Sequence, residues 1–222
     1  MTISKPKPLE EILGYLSRAQ RVFLIGCSDC ATVCQVGGKD QLEEMAKTLQ
    51  ENGKQVTGYV VGEPGCHLLE LKRLLRQHRA EVAAAEAVLV LSCGTGVQAA
   101  AAVLEDKEVY PGTDTIFLGS VQRFGNFAEY CRACGSCLLA RTGGICPVTR
   151  CAKSLLNGPC GGTSAEGKCE VDPEQDCGWK LIYDRLAARG QLDRLAEVLP
   201  AREHDKHPGK RVLEREGKGG AG

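Results

Sequence analysis

The chain is poor in aromatic residues and methionine: one Trp, four Phe, five Tyr and two Met among 222 residues. Its core must be built from Leu, Val, Ala and Ile, and any small appended unit has little to bury on its own. Net charge is also missing, with 28 basic against 28 acidic side chains, which removes the usual grounds for a nucleic-acid or anionic-membrane partner. No apolar run is long enough to span a bilayer. The opening stretch, MTISKPKPLEEILGYLSRAQ, lacks the basic-then-apolar pattern of a secretion signal. The expectation is a cytoplasmic chain that does not insert in a membrane. The length suggests one domain, or one with a small appendage.

What the chain has in abundance is cysteine, thirteen in all. An odd number cannot all pair within one chain. In a reducing compartment, dense cysteines at short spacings point to bound metal rather than disulfides. The thirteen divide unevenly, five before residue 94 and eight between Cys131 and Cys177.

Residues 21–126 read as alternating strands and helices. Arg21–Gly26 (RVFLIG), Gln55–Val61 (QVTGYVV), Ala87–Leu91 (AVLVL) and Thr115–Leu118 (TIFL) are short apolar runs bounded by polar residues, hence buried strands. Between them, Gln41–Asn52 places Leu42, Met45, Ala46 and Leu49 on one helical face, with Gly53 as a stop. His67–Gln77 places Leu68, Leu71, Leu74 and Leu75 likewise, and Val97–Glu105 gives a third helix. Repeated β-α units imply a parallel sheet with helices on its faces. The expected fold class is α/β: a small flavodoxin-like or Rossmann-like domain over residues 1–126, then a Cys-rich, metal-organised module with C-terminal helices over 127–200, then a disordered tail over 201–222.

In open parallel sheets, ligands sit beyond the carboxyl ends of the strands. All five N-terminal cysteines fall there: Cys27, Cys30 and Cys34 in GCSDCATVC, Cys66 in GEPGCH, and Cys93 in LSCGTG. A single cysteine is often just a small buried hydrophobe, which would account for Cys66 or Cys93 alone. It accounts poorly for C-x-x-C-x-x-x-C at a strand end. A nucleotide or flavin site competes for this place, but phosphate loops need Gly, Ser or Thr after the strand. Only Gly94-Thr-Gly96 offers a glycine pattern, and it lacks the third glycine. An iron–sulphur cluster at the same topological position is the better reading, with the amides around Gly94 and Gly96 as donors to its sulphurs. Whether Cys66 or Cys93 completes the ligand set stays open.

After Phe127 the apolar periodicity gives way to Cys, Gly and Pro. Cys131, Cys134 and Cys137 form C-x-x-C-x-x-C, followed by Cys146-Pro147. This resembles a ferredoxin run with a longer insertion before its last cysteine. Cys151, Cys160, Cys169 and Cys177 remain, enough for another cluster or for a closed tetrahedral zinc. The implied cofactors are two or three [4Fe–4S] clusters, or zinc in place of one. Of the four histidines, His67 reads as a surface or capping residue and His78 as a helix-end cation; His204 and His207 add little. Trp179, Ile182 and Leu186 start a helix that packs on the Cys-rich loops or on a partner, and Gln191–Leu199 reads as a second, short helix. No residue stands out as catalytic.

The segment CRACGSCLLARTGGICPVTRCAKSLLNGPCGG, continuing to KCE and DCGWKLIYDRL, resembles the C-terminal domain associated with methylenetetrahydrofolate reductase. With GCSDCATVCQVGGKDQLEEM near the start, the chain from about residue 8 to 200 is similar to the small MetV-type iron–sulphur subunits of that enzyme. The resemblance implies a complex with a flavin-containing catalytic barrel subunit that reduces 5,10-methylenetetrahydrofolate to 5-methyltetrahydrofolate in the acetyl-CoA pathway. This chain would pass electrons to that flavin and bridge to further electron-transfer subunits. Two other readings are a non-catalytic assembly module with structural zinc, and an independent thiol-redox or methyl-transfer enzyme with a catalytic cysteine.

Overall fold

The structure is a computed structural model that describes residues 1–201. The expected tail, with His204 and His207, lies outside the described residues apart from Ala201. In chain order the elements are β1 (Thr2–Pro6), α1 (Leu9–Tyr15), β2 (Arg21–Cys27), α2 (Cys30–Val33), α3 (Lys39–Glu51), β3 (Gln55–Gly62), α4 (Leu68–Gln77), α5 (Arg79–Ala84), β4 (Ala87–Val90), α6 (Gly94–Val103), β5 (Glu108–Pro111), β6 (Thr113–Arg123), β7 (Asn126–Cys131), α7 (Pro147–Arg150) and α8 (Gly178–Ala188).

The mixed α/β fold is built on a four-stranded parallel sheet with strand order β3-β2-β4-β5. This is the flavodoxin-like order, whose topological switch point lies between the two central strands, here β2 and β4. β2 is buried along six consecutive residues because helices cover both faces. Its side chains alternate between two cores. Phe23 and Ile25 pack with Leu71 and Leu75 of α4, Val82 of α5 and Ala99 and Ala100 of α6. Val22 and Leu24 pack with Ile12 of α1 and Leu42 and Leu49 of α3. The helices follow the predicted spacing, except that Leu68 is exposed at the start of α4.

The fourth parallel strand differs from expectation. It is Glu108–Pro111, while the predicted Thr115–Leu118 lies within β6, in a second, antiparallel sheet of order β1-β6-β7. Pro111 hid the true strand; it is tolerated because β5 is an edge strand with one partner. The antiparallel sheet takes its first strand from the chain's N-terminal residues, so it straddles the stretch around residue 127 where the sequence changes character. Lys7 holds it to α1, pairing with Glu11 at 2.6 Å and with Asp114 of β6 at 2.7 Å.

The C-terminal region has a small core of its own: Ile145, Cys177, Trp179, Ile182 and Leu186. The predicted helix over 191–199 is only a 3-10 turn, Leu192–Leu195. Beyond it the backbone bonds elsewhere, with the Asn157 amide donating to the Leu199 carbonyl and accepting from its N–H.

Ile25 sits at the centre of one face of the main sheet and is 1 % exposed. Ile25→Ala is expected to cost about 2–5 kcal/mol in urea unfolding. A loss below about 1 kcal/mol would mean that this face is not the packed core described.

Candidate metal centres

The loops that follow β2, β3 and β4 deliver thiols to the switch point. Cys27 ends β2, Cys30 opens α2, Cys66 lies in the turn before α4, and Cys93 is the N-cap of α6. A close passage of backbone makes this possible. The Cys27 N–H donates to the Gly37 carbonyl at 2.8 Å, and a Cβ on Gly37 would overlap the Leu91 carbonyl beyond β4. Glycine is therefore required where the first cysteine loop threads between the two central strands.

The thiols sense one another. Crowding by protein around its sulphur pushes the Cys66 thiol up, and negative charge on Cys93, Cys27 and Cys30 pushes it further. Four cysteines thus share one electrostatic neighbourhood, and both Cys66 and Cys93 belong to it. Cys34 is not among the charges that act on Cys66; its S–H donates to the Thr2 carbonyl of β1 at 3.8 Å. Burial raises the Cys34 thiol, a backbone hydrogen bond at Ser4 opposes this, and Cys30 adds to the rise.

Two amides already point at sulphur here. Gly65 N–H donates to Cys27 Sγ and Thr2 N–H donates to Cys30 Sγ, each at 3.4 Å. The predicted donor at Gly94 is engaged otherwise: its N–H is held by Thr115 Oγ1 at 2.8 Å. Gly96 is buried in the first turn of α6. His67 caps α4, its Nδ1 accepting the Glu70 N–H at 3.3 Å, which is the capping role read from the sequence. His78 joins α4 to α5 and contacts Glu81.

The second set lies at the end of β7. Cys131, Cys134, Cys137 and Cys146 all line one open cleft of about 320 Å³, walled by Tyr130, Leu138, Leu139 and Val148. Left-handed backbone at Ala133 and Gly135 curls the C-x-x-C-x-x-C loop back on itself. The Ala133 N–H donates to Cys131 Sγ at 3.3 Å. Pro147 at the first position of α7 fixes the chain just after Cys146.

The third set surrounds a much smaller cavity. Cys151 ends α7, Cys177 is the N-cap of α8, and with Cys160 and Cys169 they line a space of about 10 Å³. Burial works to raise the Cys177 thiol, but the Thr163 hydroxyl, 3.1 Å away, and the backbone N–H groups of Lys180 and Trp179 outweigh it and hold the thiol below its ordinary range. The Cys160 S–H donates to Glu170 Oε1 at 3.3 Å, and Glu170 pairs with Lys153.

Twelve of the thirteen cysteines thus fall into three groups of four, with Cys34 beside the first. Among the described residues, no three His, Cys, Asp or Glu side chains stand at the mutual distances of a finished metal site. Sequence reading missed Thr2, Gly65 and Thr163 as donors to sulphur, and missed the Lys153–Glu170 pair. Gly65 and Thr163 lie close to a cysteine in sequence, which is a usable signal; Thr2 and the ion pair come from distant segments and leave none.

Residues 110–205 match the family described as Methylene-tetrahydrofolate reductase C terminal. The matched span starts within β5 and contains both the β6–β7 hairpin and all eight C-terminal cysteines, so this part of the chain is related to that reductase C-terminal domain. No curated protein and no solved structure matches the chain. No helix among the described residues is long and apolar enough to cross a membrane.

Timed alkylation of the metal-free protein, read by mass spectrometry, tests these placements. Exposed Cys131, Cys137 and Cys160 should label well before Cys27, which is 5 % exposed. A raised thiol carries less thiolate at a given pH, so Cys66 should reach half its maximal rate at a higher pH than a free cysteine. Equal rates for Cys27 and Cys131 would contradict the burial of the strand-end site.

Proposed function

We propose that this chain is an iron–sulphur electron-transfer and scaffold subunit of a methylenetetrahydrofolate reductase complex. The family match over residues 110–205 supports the choice of complex. The partner would be the flavin-containing catalytic barrel subunit that the resemblance implies, the four-stranded parallel sheet of this chain being no barrel itself. Further electron-transfer subunits would load the chain. The setting is the cytoplasm, where thiols remain reduced.

The residues fit the cofactor chemically. Soft thiolates in sets of four suit [4Fe–4S] clusters, which when bound supply one-electron transfer. Cys27, Cys30, Cys66 and Cys93 would hold one cluster, leaving Cys34 spare. Cys131, Cys134, Cys137 and Cys146 would hold another. Gly65 and Thr2 would donate N–H hydrogen bonds to ligand sulphur, and Ala133 would do the same at the second site. Such donors favour the reduced, more negative state and so raise the reduction potential.

The observation that carries the electron-transfer reading is a short connection between these two sites. The Thr2 N–H touches Cys30 Sγ at 3.4 Å. Thr2 stands opposite Leu118 across β1–β6, and Leu118 stands opposite Cys131 across β6–β7. Two strand spacings of about 4.8 Å therefore separate Thr2, which touches Cys30, from Cys131, roughly 10 Å of hydrogen-bonded sheet. The antiparallel sheet would serve as the bridge along which single electrons pass.

Iron and acid-labile sulphide should both be present in the anaerobically purified chain, with visible absorbance that bleaches on reduction. Cys27→Ala should lose one cluster's share of iron and keep the rest; Cys131→Ala should do the same independently. Unchanged iron in Cys27→Ala would remove the strand-end site, and a chain holding zinc alone would sink the electron-transfer reading. Thr2→Pro, which deletes the N–H donor, should make the strand-end cluster harder to reduce at unchanged iron content. An unaltered potential would show that this amide does not tune it.

A further inference from the structure

We propose that Cys151, Cys160, Cys169 and Cys177 form a closed site for one zinc ion rather than a third cluster. The inference rests on the reading above that the thiol sets hold metal, and it differs in what this set holds and why. Space decides between the two. The cavity these four cysteines line is about 10 Å³, room for about one water-sized sphere. The Cys131 set opens instead on about 320 Å³. One ion at about 2.3 Å from each sulphur occupies a single point. A cluster of four irons and four sulphides needs room of the second kind.

The surroundings agree. Pro159, Val171 and Trp179 line the space beside the four sulphurs, and four thiolates complete a tetrahedron, leaving no coordination position vacant for a substrate. Such a closed set of four thiolates is a common structural zinc site, and the small space sets it apart from a cluster site. Four thiolates around a divalent ion leave two negative charges to offset, and Lys153 is the cation at the rim. It is held there by Glu170, which accepts the Cys160 S–H at 3.3 Å. Gly162 leaves the space for this arrangement, since a Cβ there would overlap the Glu170 carboxylate. When Cys160 loses its proton to bind metal, Glu170 loses its donor and Lys153 becomes the counter-charge to the new thiolate.

The ion would do mechanical work. Cys151 ends α7 and Cys177 caps α8. One ion therefore ties both helices to the loops carrying Cys160 and Cys169, around a core of only five buried residues. A core that small is of the kind that metals commonly supplement.

The test is zinc, iron and sulphide content of the full chain purified anaerobically, alongside Cys160→Ala, an exposed position chosen to spare the fold. The expected result is one zinc per chain, lost in Cys160→Ala with iron and sulphide unchanged, and a lowered melting temperature. If Cys160→Ala instead loses iron and sulphide in step and the parent holds no zinc, the set binds a cluster. The inference then falls while the electron-transfer reading stands. Zinc present and lost, with no iron in the parent, leaves the inference standing and removes that reading. Should Cys160→Ala fail to fold, cobalt(II) exchanged into the parent provides the check. Thiolate-to-cobalt absorption with tetrahedral ligand-field bands at unchanged iron supports the site, and its absence overturns it.

Discussion

Thiolates crowded together repel, and this chain crowds twelve of its thirteen cysteines at three places. Burial raises the Cys66 thiol, and the charge of Cys93, Cys27 and Cys30 raises it further, in the sense of that repulsion. A cation relieves it, and binding a cation releases the protons. The cost of bringing the thiols together is met differently at each place. At the switch point the parallel sheet does it, with two packed faces and a glycine threading between β2 and β4. In the C-terminal region there is little apolar surface to do it, so metal and fold would depend on each other.

Much of the main sheet was legible in the sequence because its signals are local. β2 reads as a buried strand since Val22 to Ile25 are apolar without a break, and the spacing of Leu42 and Leu49 or of Leu71 and Leu75 sets a helix face. From there the β-α alternation implies that Cys27, Cys66 and Cys93 share one edge. What was not legible depends on distant segments. Nothing in TISKP or TDTIFLGSVQR says that one strand pairs with the other across more than a hundred residues. Nor does a sequence show that Thr2 of that strand meets both Cys30 and Cys34.

The antiparallel sheet links the two parts of the chain that differ in sequence character. A boundary drawn where cysteine, glycine and proline take over separates a tidy α/β domain from a loop-rich module. The matched family span begins in β5, and β1 comes from the N-terminal residues to complete the hairpin's sheet. The two thiol-bearing regions are thus joined by a hydrogen-bonded ladder rather than by a linker. On the proposed function this is the consequential feature of the fold, because it sets the separation of the two cluster sites.

The sharpest test of the account is anomalous scattering from crystals of the anaerobically purified chain, collected at the iron and zinc edges. The account predicts iron at Cys27, Cys30, Cys66 and Cys93 and at Cys131, Cys134, Cys137 and Cys146, and zinc at Cys151, Cys160, Cys169 and Cys177. Iron missing from both of the first two sites would contradict it.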